Sequence, residues 1–413
     1  MHFAMLCPPF TGHLNPMFAV GKALQARGHR STFVVVPDLV RQVQTAGFGA
    51  AAVGSQSHPM GTLLRLERRL ANLNGLRGLR ETVRDMARMT DMLCSEGAIA
   101  LRKLAPNAVV CDQLEAGGGL LARHLRLPHV SVANALMIDR EPYVPPPFTS
   151  WGYARTAWAR SRNVGGYRVS DWLMHDLSQV IARWSNVWRL RGLRTVEDCL
   201  SATQIGQLSP LLDFPRDDLP ASFHYTGPLR VPQSDESAWQ PPSTARGPFA
   251  FVSLGSLQGG RFQLIAQITQ ACRDEGLTAV VAHAGRLSDA QAVALPGAPI
   301  VEQYVAQRSV MACCDLVITH GGMNTVLDAL SLGVPLVTVP LAMEQGAIAQ
   351  RVSRAGAGVQ MRSRLPSVRV LRKAISDALG RSLCSYYAAD LATSLNTAGG
   401  ATRAAQLIEH HAH

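Results

Sequence analysis

VEQYVAQRSVMACCDLVITHGGMNTVLDALSLGVPLVTVPLAMEQG, residues 301–346, decides the fold of this chain. Leu316 to Thr319 is a short apolar, β-branched run, as expected of a parallel strand buried on both faces. His320-Gly321-Gly322 breaks it, and Asn324 and Thr325 favour the start of a helix. Val326 to Leu332 continues with apolar spacing, Gly333 closes the helix and Pro335 forbids its continuation. Leu336 to Val339 reads as a second buried strand ended by Pro340. The unit is strand, glycine turn, helix, strand, which belongs to a parallel α/β sheet.

Such a turn leaves the backbone N–H groups of Gly322 to Thr325 unpaired at the positive end of a helix dipole, outside the carboxyl end of a strand. That is a ready-made phosphate site. His320 is placed to donate a hydrogen bond to the same anion, and Asp328, one helical turn beyond Asn324, offers a carboxylate to sugar hydroxyls. Glu344 and Gln345 follow the next strand at the same sheet edge. A lone glycine turn reads as scaffold, but five polar groups converging on one edge read as a ligand site.

The stretch resembles the nucleotide-sugar signature of the family 1 UDP-glycosyltransferases, enzymes of the GT-B fold. In that family the signature runs from an aromatic-x-x-Gln through His-x-Gly-x-Asn-[Ser/Thr] and an acid to an acid-Gln pair. The matching positions are Tyr304 and Gln307, then His320, Gly322, Asn324 and Thr325, then Asp328, then Glu344 and Gln345, with every interval kept. Tyr304 and Met323 stand where many members carry Trp, and Glu344 where most carry Asp. The resemblance implies two Rossmann-like, doubly wound domains flanking a cleft. Its donor site would comprise Gly255, Ser256, Tyr304, Val305, Gln307, His320, Gly322, Met323, Asn324, Thr325, Asp328, Glu344 and Gln345. Tyr304 would stack on the base, Asp328 would bind the ribose, and Ser256, His320 and the turn amides would hold the pyrophosphate. Glu344 and Gln345 would face the sugar, with UDP-glucose the first donor expected and a dTDP-sugar the second.

The rest of the chain fits this frame. Its 413 residues exceed one ordinary domain, and 47% hydrophobic with 17% charged residues is a globular composition. Phe3 to Cys7 reads as a strand ended by Pro8-Pro9, followed by the loop Phe10 to Asn15 and a helix with Pro16 near its first turn. Gly28 stops that helix and Thr32 to Val36 is the next strand, a βαβ unit without GxGxxG. Ala108 to Cys111 is a strand ended by Asp112, and His129 to Ala133 is another. Val231 to Pro248 is rich in Pro, Ser and Gln and reads as a linker, after which Phe249 to Leu254 opens the second half. The expected division is an acceptor domain at 1–230, a linker at 231–248 and a donor domain at 249–385. A C-terminal helix at 386–413 is expected to return to the first domain, by analogy with GT-B proteins.

A transferase also needs a base for the acceptor hydroxyl. His13 lies on the loop after the first strand and Asp112 ends another, so both can reach one sheet edge. A carboxylate on one imidazole nitrogen leaves the other as a base. Many family 1 enzymes carry a Gly-His in this loop as base and an acid after a later strand, and Gly12-His13 and Asp112 match both places. Phe10, Asn134, Pro145 and Phe148 are the candidate acceptor contacts. The function expected is inverting, metal-independent transfer of a hexose to a lipophilic alcohol, a carotenoid or polyketide among them, with no cofactor beyond the nucleotide sugar. Within the family, HFAMLCPPFTGHLNP and VSVANALMIDREP resemble the bacterial branch that includes macrolide and zeaxanthin (carotenoid) glucosyltransferases. A nucleotide-sugar 2-epimerase of the same fold and a non-catalytic partner protein are the alternatives.

Charge and cysteines bound the setting. The net charge is +11, with 25 Lys and Arg against 17 Asp and Glu up to residue 225, and 15 against 12 beyond it. The arginines are scattered and no nucleic-acid motif accompanies them, so nucleic acid is not expected as a partner. Eight cysteines without C-x-x-C spacing read as free thiols of a reducing cytoplasm. No basic leader opens the chain and no apolar run approaches membrane-spanning length. Trp151, Trp158, Trp172, Trp184 and Trp188 are interleaved with arginines. They read equally as helices over an acceptor cleft or at a membrane surface, and as an insertion packed on the domain. A cytoplasmic monomer or weak dimer, with peripheral contact at the inner membrane surface, is the expectation.

Overall fold

Short buried runs of Val, Ile, Phe and Ala, separated by helices, build two parallel sheets. The computed structural model describes residues 1–72, 75–231, 239–243, 245, 247–380 and 382–412. The first sheet contains β1 (His2–Leu6), β2 (Arg30–Val35), β3 (Gly49–Ala52), β4 (Ala108–Asp112), β5 (His129–Ala133), β6 (Gln204–Gly206) and β7 (Phe223–Tyr225). Their spatial order is 3-2-1-4-5-6-7. The second contains β8 (Phe249–Ser253), β9 (Thr278–Ala282), β10 (Ile300–Glu302), β11 (Leu316–Thr319), β12 (Leu336–Thr338) and β13 (Gly358–Gln360), in the order 10-9-8-11-12-13. All these pairings are parallel. Strand order therefore reverses between β1 and β4 and between β8 and β11, and such switch points open crevices at the carboxyl ends of strands. These are the two Rossmann-like halves expected.

The helices of the first half are α1 (Thr11–Ala26), α2 (Pro37–Thr45), α3 (Thr62–Asn72), α4 (Gly75–Met92), α5 (Ala98–Leu104), α6 (Ala116–Leu125), α7 (Ala157–Leu173) and α8 (His175–Val187). Those of the second are α9 (Gly255–Gln258), α10 (Phe262–Asp274), α11 (Asp289–Val293), α12 (Gln307–Met311), α13 (Met323–Ser331), α14 (Gln345–Arg354), α15 (Val368–Gly380) and α16 (Ser382–Thr397). Helix α17 (Gly400–Ala412) follows. Of the terminal segment, α16 buries Ala388, Leu391 and Leu395 in one core with Val326 and Leu330 of α13. Helix α17 instead buries Ala404, Ala405 and Ile408 with Leu14, Met17 and Val20 of α1. The chain changes over at Gly399-Gly400, both at positive φ, where the Gly400 N–H donates to the Thr226 carbonyl at 2.7 Å.

One boundary differs in a way that matters. Helix α1 begins at Thr11, so His13 lies in its first turn rather than in a loop, and Pro16 lies inside the helix. A proline has no N–H to donate to the carbonyl four residues back, here that of Gly12. That carbonyl accepts instead from Asn324 Nδ2 of the second half, at 2.9 Å.

Of the expected linker 231–248, residues 232–238, 244 and 246 lie outside the described residues. Among the described residues no helix is long and apolar enough to cross a membrane. Among the described residues no disulfide joins the eight cysteines, of which seven are buried and Cys313 is exposed.

Candidate active site

The two sheets present their carboxyl ends to a shared cavity of about 1340 Å³. Phe10 to His13, Asn134 and Phe148 line it from the first half, with Leu79, Thr82 and Met86 of α4. Gly255, Ser256, His320, Gly322 to Thr325, Asp328, Glu344 and Gln345 line it from the second.

His13 and Asp112 meet. His13 Nδ1 lies 2.6 Å from Asp112 Oδ2, and the His13 side chain keeps 19% of its surface exposed while that of Asp112 keeps none. Asn134 Nδ2 donates to the same carboxylate oxygen at 2.7 Å, and the Leu114 backbone N–H donates to Oδ1 at 2.8 Å. The carboxylate is thus fixed from three sides. Burial alone would lower the His13 pKa, but the charge and hydrogen bond of Asp112 outweigh it, and Glu344 and Glu115 add to the rise above the ordinary value. Glu115, three residues after β4, is itself buried. Burial first, opposed by a hydrogen bond from Gly117 and reinforced by the charge of Asp112, pushes its carboxyl up to about 8. At pH 7 it is therefore largely neutral, and its charge acts on His13 only as pH climbs towards 8.

The second wall is built on glycine. Gly255 has φ +75°, and a Cβ there would lie 2.7 Å from the His320 ring; one on Gly322 would lie 2.5 Å from His320 Nε2. The imidazole fills the space both side chains would need, which is why these two positions tolerate hydrogen alone. Burial pushes the His320 pKa down to about 4 against a weaker hydrogen bond involving the Ser253 backbone, so the ring is neutral near pH 7. Gly322 is the N-cap of α13 and no side chain caps it, contrary to the role expected for Asn324 and Thr325. Val326 N–H is the first to bond within the helix, to the Gly322 carbonyl at 3.0 Å, leaving the N–H groups of Met323, Asn324 and Thr325 without intrahelical acceptors. Asn324 spends its amide on Gly12, and Thr325 Oγ1 lies 3.4 Å from Gln307 Oε1. Met323 is buried under the turn.

The remaining expected residues fall in three groups. Asp328 lies on the wall with both oxygens engaged: Oδ1 accepts from Arg230 Nε at 2.6 Å and Oδ2 from Gln307 Nε2 at 2.8 Å. Gln345 turns its carbonyl oxygen back to the Leu341 and Ala342 N–H groups, at 2.8 and 2.9 Å, and so shapes the loop that carries Glu344. Tyr304 is 72% exposed beyond β10 and, with Val305, stands off the cavity wall; Pro145 is buried and also off it. Asn134, expected at the acceptor, commits its amide nitrogen to Asp112, so it positions the dyad.

Sequence reasoning missed two cations. Arg230 lines the cavity and, besides Asp328, donates to the Gln207 side chain at 3.0 Å and the Asn324 carbonyl at 3.1 Å. Arg286 donates to the Ser256 carbonyl at 2.9 Å and pairs across the cleft with Glu67 of α3 at 3.1 Å. A lone arginine at the edge of a linker or loop carries no sequence signal that sets it apart. Among the described residues no group of three or more His, Cys, Asp or Glu is arranged to hold a metal ion.

Comparisons with known proteins agree with this geometry. Residues 258–403 match the glycosyltransferase family 28 C-terminal domain. The chain is 37% identical to the zeaxanthin glucosyltransferase of Pantoea ananas over 99% of its own length and 95% of the relative's. It is 36% identical to the zeaxanthin glucosyltransferase of Pseudescherichia vulneris, over 99% and 97%. In structure it superposes on the crystal structure of the kitacinnamycin glycotransferase with a TM-score of 0.76 at 20% identity, covering 99% of this chain and 98% of that one.

Proposed function

The chain belongs to the bacterial family 1 UDP-glycosyltransferases, and from that premise we propose the reaction of its cavity. It moves a hexose from a nucleotide-diphosphate sugar, UDP-glucose in the first instance, to a hydroxyl of a lipophilic small molecule, with inversion and without a metal ion. The observation that carries this reading is His13, held by Asp112 at 2.6 Å, on the wall opposite the His320–Thr325 turn. With its Nδ1–H donating a hydrogen bond to Asp112, the imidazole keeps the Nε2 lone pair for the acceptor hydroxyl.

The acceptor oxygen attacks the anomeric carbon as the bond from that carbon to the diphosphate oxygen breaks. The hydroxyl proton passes to His13 Nε2, and the diphosphate leaves with the bonding pair. Attack and departure on opposite faces invert the carbon. The diphosphate charge falls at the N–H groups of Met323 to Thr325, beside neutral His320, where fixed dipoles stabilise it in a partly dry cavity. The second-half wall offers amides and arginines and no Asp-x-Asp pair, which supports charge stabilisation by the protein itself. Glu344, half-buried on the wall and close enough to raise the His13 pKa, is suited to the sugar hydroxyls between base and diphosphate. Phe10, Leu79, Met86, Leu114 and Phe148 make the first-half wall apolar. Together with relatives named for zeaxanthin, this favours a hydroxylated carotenoid or another extended apolar alcohol.

Incubation with UDP-glucose or dTDP-glucose and a panel of carotenoid, polyketide and phenolic alcohols, read by mass spectrometry and by the anomeric coupling in the product, tests the proposal. The expected product is a β-glucoside from the α-linked donor. Donor turnover that ignores the acceptor, or an α-glucoside, overturns it.

A further inference from the structure

Helix α7 has two dissimilar faces. Ala159, Asn163, Gly166 and Leu173 are buried and seat the helix on the fold. The adjoining face carries uncovered apolar side chains: Trp158 is 70% and Trp172 57% exposed, with Val169 exposed between them. At 1.5 Å per residue the two indoles stand about 21 Å apart along the helix. Single exposed apolar side chains are ordinary, but two indoles closing one apolar stripe are not.

The cations around this stripe are placed as at a headgroup layer. The Arg162 guanidinium lies 5.1 Å over the Trp158 ring, and Arg80 of α4 lies 5.4 Å over Trp172. Arg160 and Arg168 are exposed on α7 itself, where Asp171 is the one acidic residue. Indoles between a dry and a wet phase, flanked by arginines whose stems are apolar and whose heads are charged, describe an interfacial helix. Its position adds a reason. Helix α4, which carries Arg80, supplies Leu79, Thr82 and Met86 to the cavity, and Ser150, just ahead of α7, lines it too. The Trp172 end of α7 thus adjoins, through Arg80 and α4, the wall assigned to the acceptor.

We propose that this face of α7, with the arginines around it, docks on an anionic lipid surface, from which the acceptor enters the cavity. The entry route rests on the acceptor reading above; the docking does not. Partial insertion of the indoles gains apolar burial, and the arginines gain attraction that decays within a Debye length of the surface.

The test is co-sedimentation of the full chain with phosphatidylcholine vesicles, with and without phosphatidylglycerol, and with neither donor nor acceptor present. The wild type is expected to pellet with the anionic vesicles and to stay in solution with the neutral ones. A Trp158→Ser/Trp172→Ser variant should lose about 10-fold or more in partitioning, while its turnover of a water-soluble phenol and its thermal midpoint hold. A wild type that stays in solution with both vesicles, or a variant that partitions unchanged, overturns the docking. Equal binding to neutral vesicles overturns the role of the arginines. Sedimentation velocity covers the remaining occupant: a wild-type dimer that the double substitution dissolves would make this face a self-interface. Glycosyl transfer without vesicle binding would leave the reaction standing and remove only the docking.

Discussion

Replacing Asp112 by Asn changes one oxygen for one nitrogen, and the surrounding donors decide which way the new amide faces. The Leu114 N–H at 2.8 Å requires oxygen at the Oδ1 position, which forces the new NH₂ group to the Oδ2 side. There it meets Asn134 Nδ2 at 2.7 Å, a donor facing a donor, and His13 Nδ1 at 2.6 Å. The new amide can then only donate to Nδ1, which moves the His13 proton to Nε2 and removes the lone pair that should receive the hydroxyl proton. Losing a general base typically costs about 10²–10⁴-fold, and the wrong tautomer in a comparable His–Asp pair reaches about 10⁴. The loss should fall on turnover with an alkyl alcohol and be smaller with a phenol, which ionises with less help. Donor KM should hold, since Asp112 stands off the donor wall.

The pH profile separates this account from simple damage to the fold. In the wild type His13 is protonated below a pKa raised above the ordinary value, so activity rises as pH climbs through it. In Asp112→Asn the raising charge and hydrogen bond are gone and burial remains, so the rising limb should move to lower pH even as its plateau falls. Steady-state release of nucleoside diphosphate across the pH range, with one alkyl and one phenolic acceptor, reads both. Undiminished turnover of the alkyl alcohol, with the limb unmoved, would refute the reasoning.

His320→Ala should raise donor KM and lower turnover together, because the ring faces the diphosphate in ground and transition states alike; titration calorimetry with UDP checks the first half. Gly322→Ala should do at least as much damage, since its Cβ would stand 2.5 Å from His320 Nε2; retained donor affinity would contradict the tight fit. Activity should be indifferent to EDTA, and a loss that Mg²⁺ restores would remove the metal-free assignment. Asp213→Ala should cost about 3–5 kcal/mol of stability, seen as a lower thermal midpoint, because it leaves Arg216 and Arg351 buried without their shared carboxylate. Burial would raise the Asp213 pKa, but the charges of Arg351 and Arg216 overcome it and hold it at about 2. Its contribution is therefore present above the ordinary carboxylate range and is lost as pH falls towards 2.

How much of this was legible depended on how local each signal is. Leu316 to Thr319 and the turn after it were readable because strand, glycines and helix are contiguous, and β11 matches the expected run residue for residue. His13 and Asp112 are 99 residues apart, yet His13 follows β1 and Asp112 ends β4, strands that lie side by side, and the family resemblance supplied the pairing. Asn134 ends a neighbouring strand too, but whether its amide turns to the cavity or to Asp112 depends on a hydrogen bond that no pattern encodes. Helices α3 to α5 were not anticipated, although Leu79, Val83, Met86 and Met89 of α4 recur at helical spacing. Strands β6 and β7 span three residues each, too few to show alternation. Arg230 and Arg286 act on carbonyls and carboxylates of other elements, and only the folded chain brings those together.

The contacts between the two halves differ in energy from one side of the cleft to the other. Away from the cavity, Asp213 of the first half and Arg351 of α14 meet at 2.7 Å, and Arg351 lies 4.1 Å over the Phe214 ring. Both side chains are almost wholly buried, so this pair is shielded from water and from screening by salt. On the cavity side, Glu67 and Arg286 each keep about a third of their surface in water, and an exposed pair of this kind contributes about 0–1 kcal/mol. The Asn324–Gly12 hydrogen bond beside them is a single neutral contact that water can replace. Arg230 and Asp328 stand between these extremes, the arginine one-fifth exposed and the acid buried. The weak contacts thus lie beside Ser256 and His13, and the buried Asp213–Arg351 pair lies off the cavity wall. The same ordering orients the cleft, because the cheap contacts border the cavity that donor and acceptor must enter.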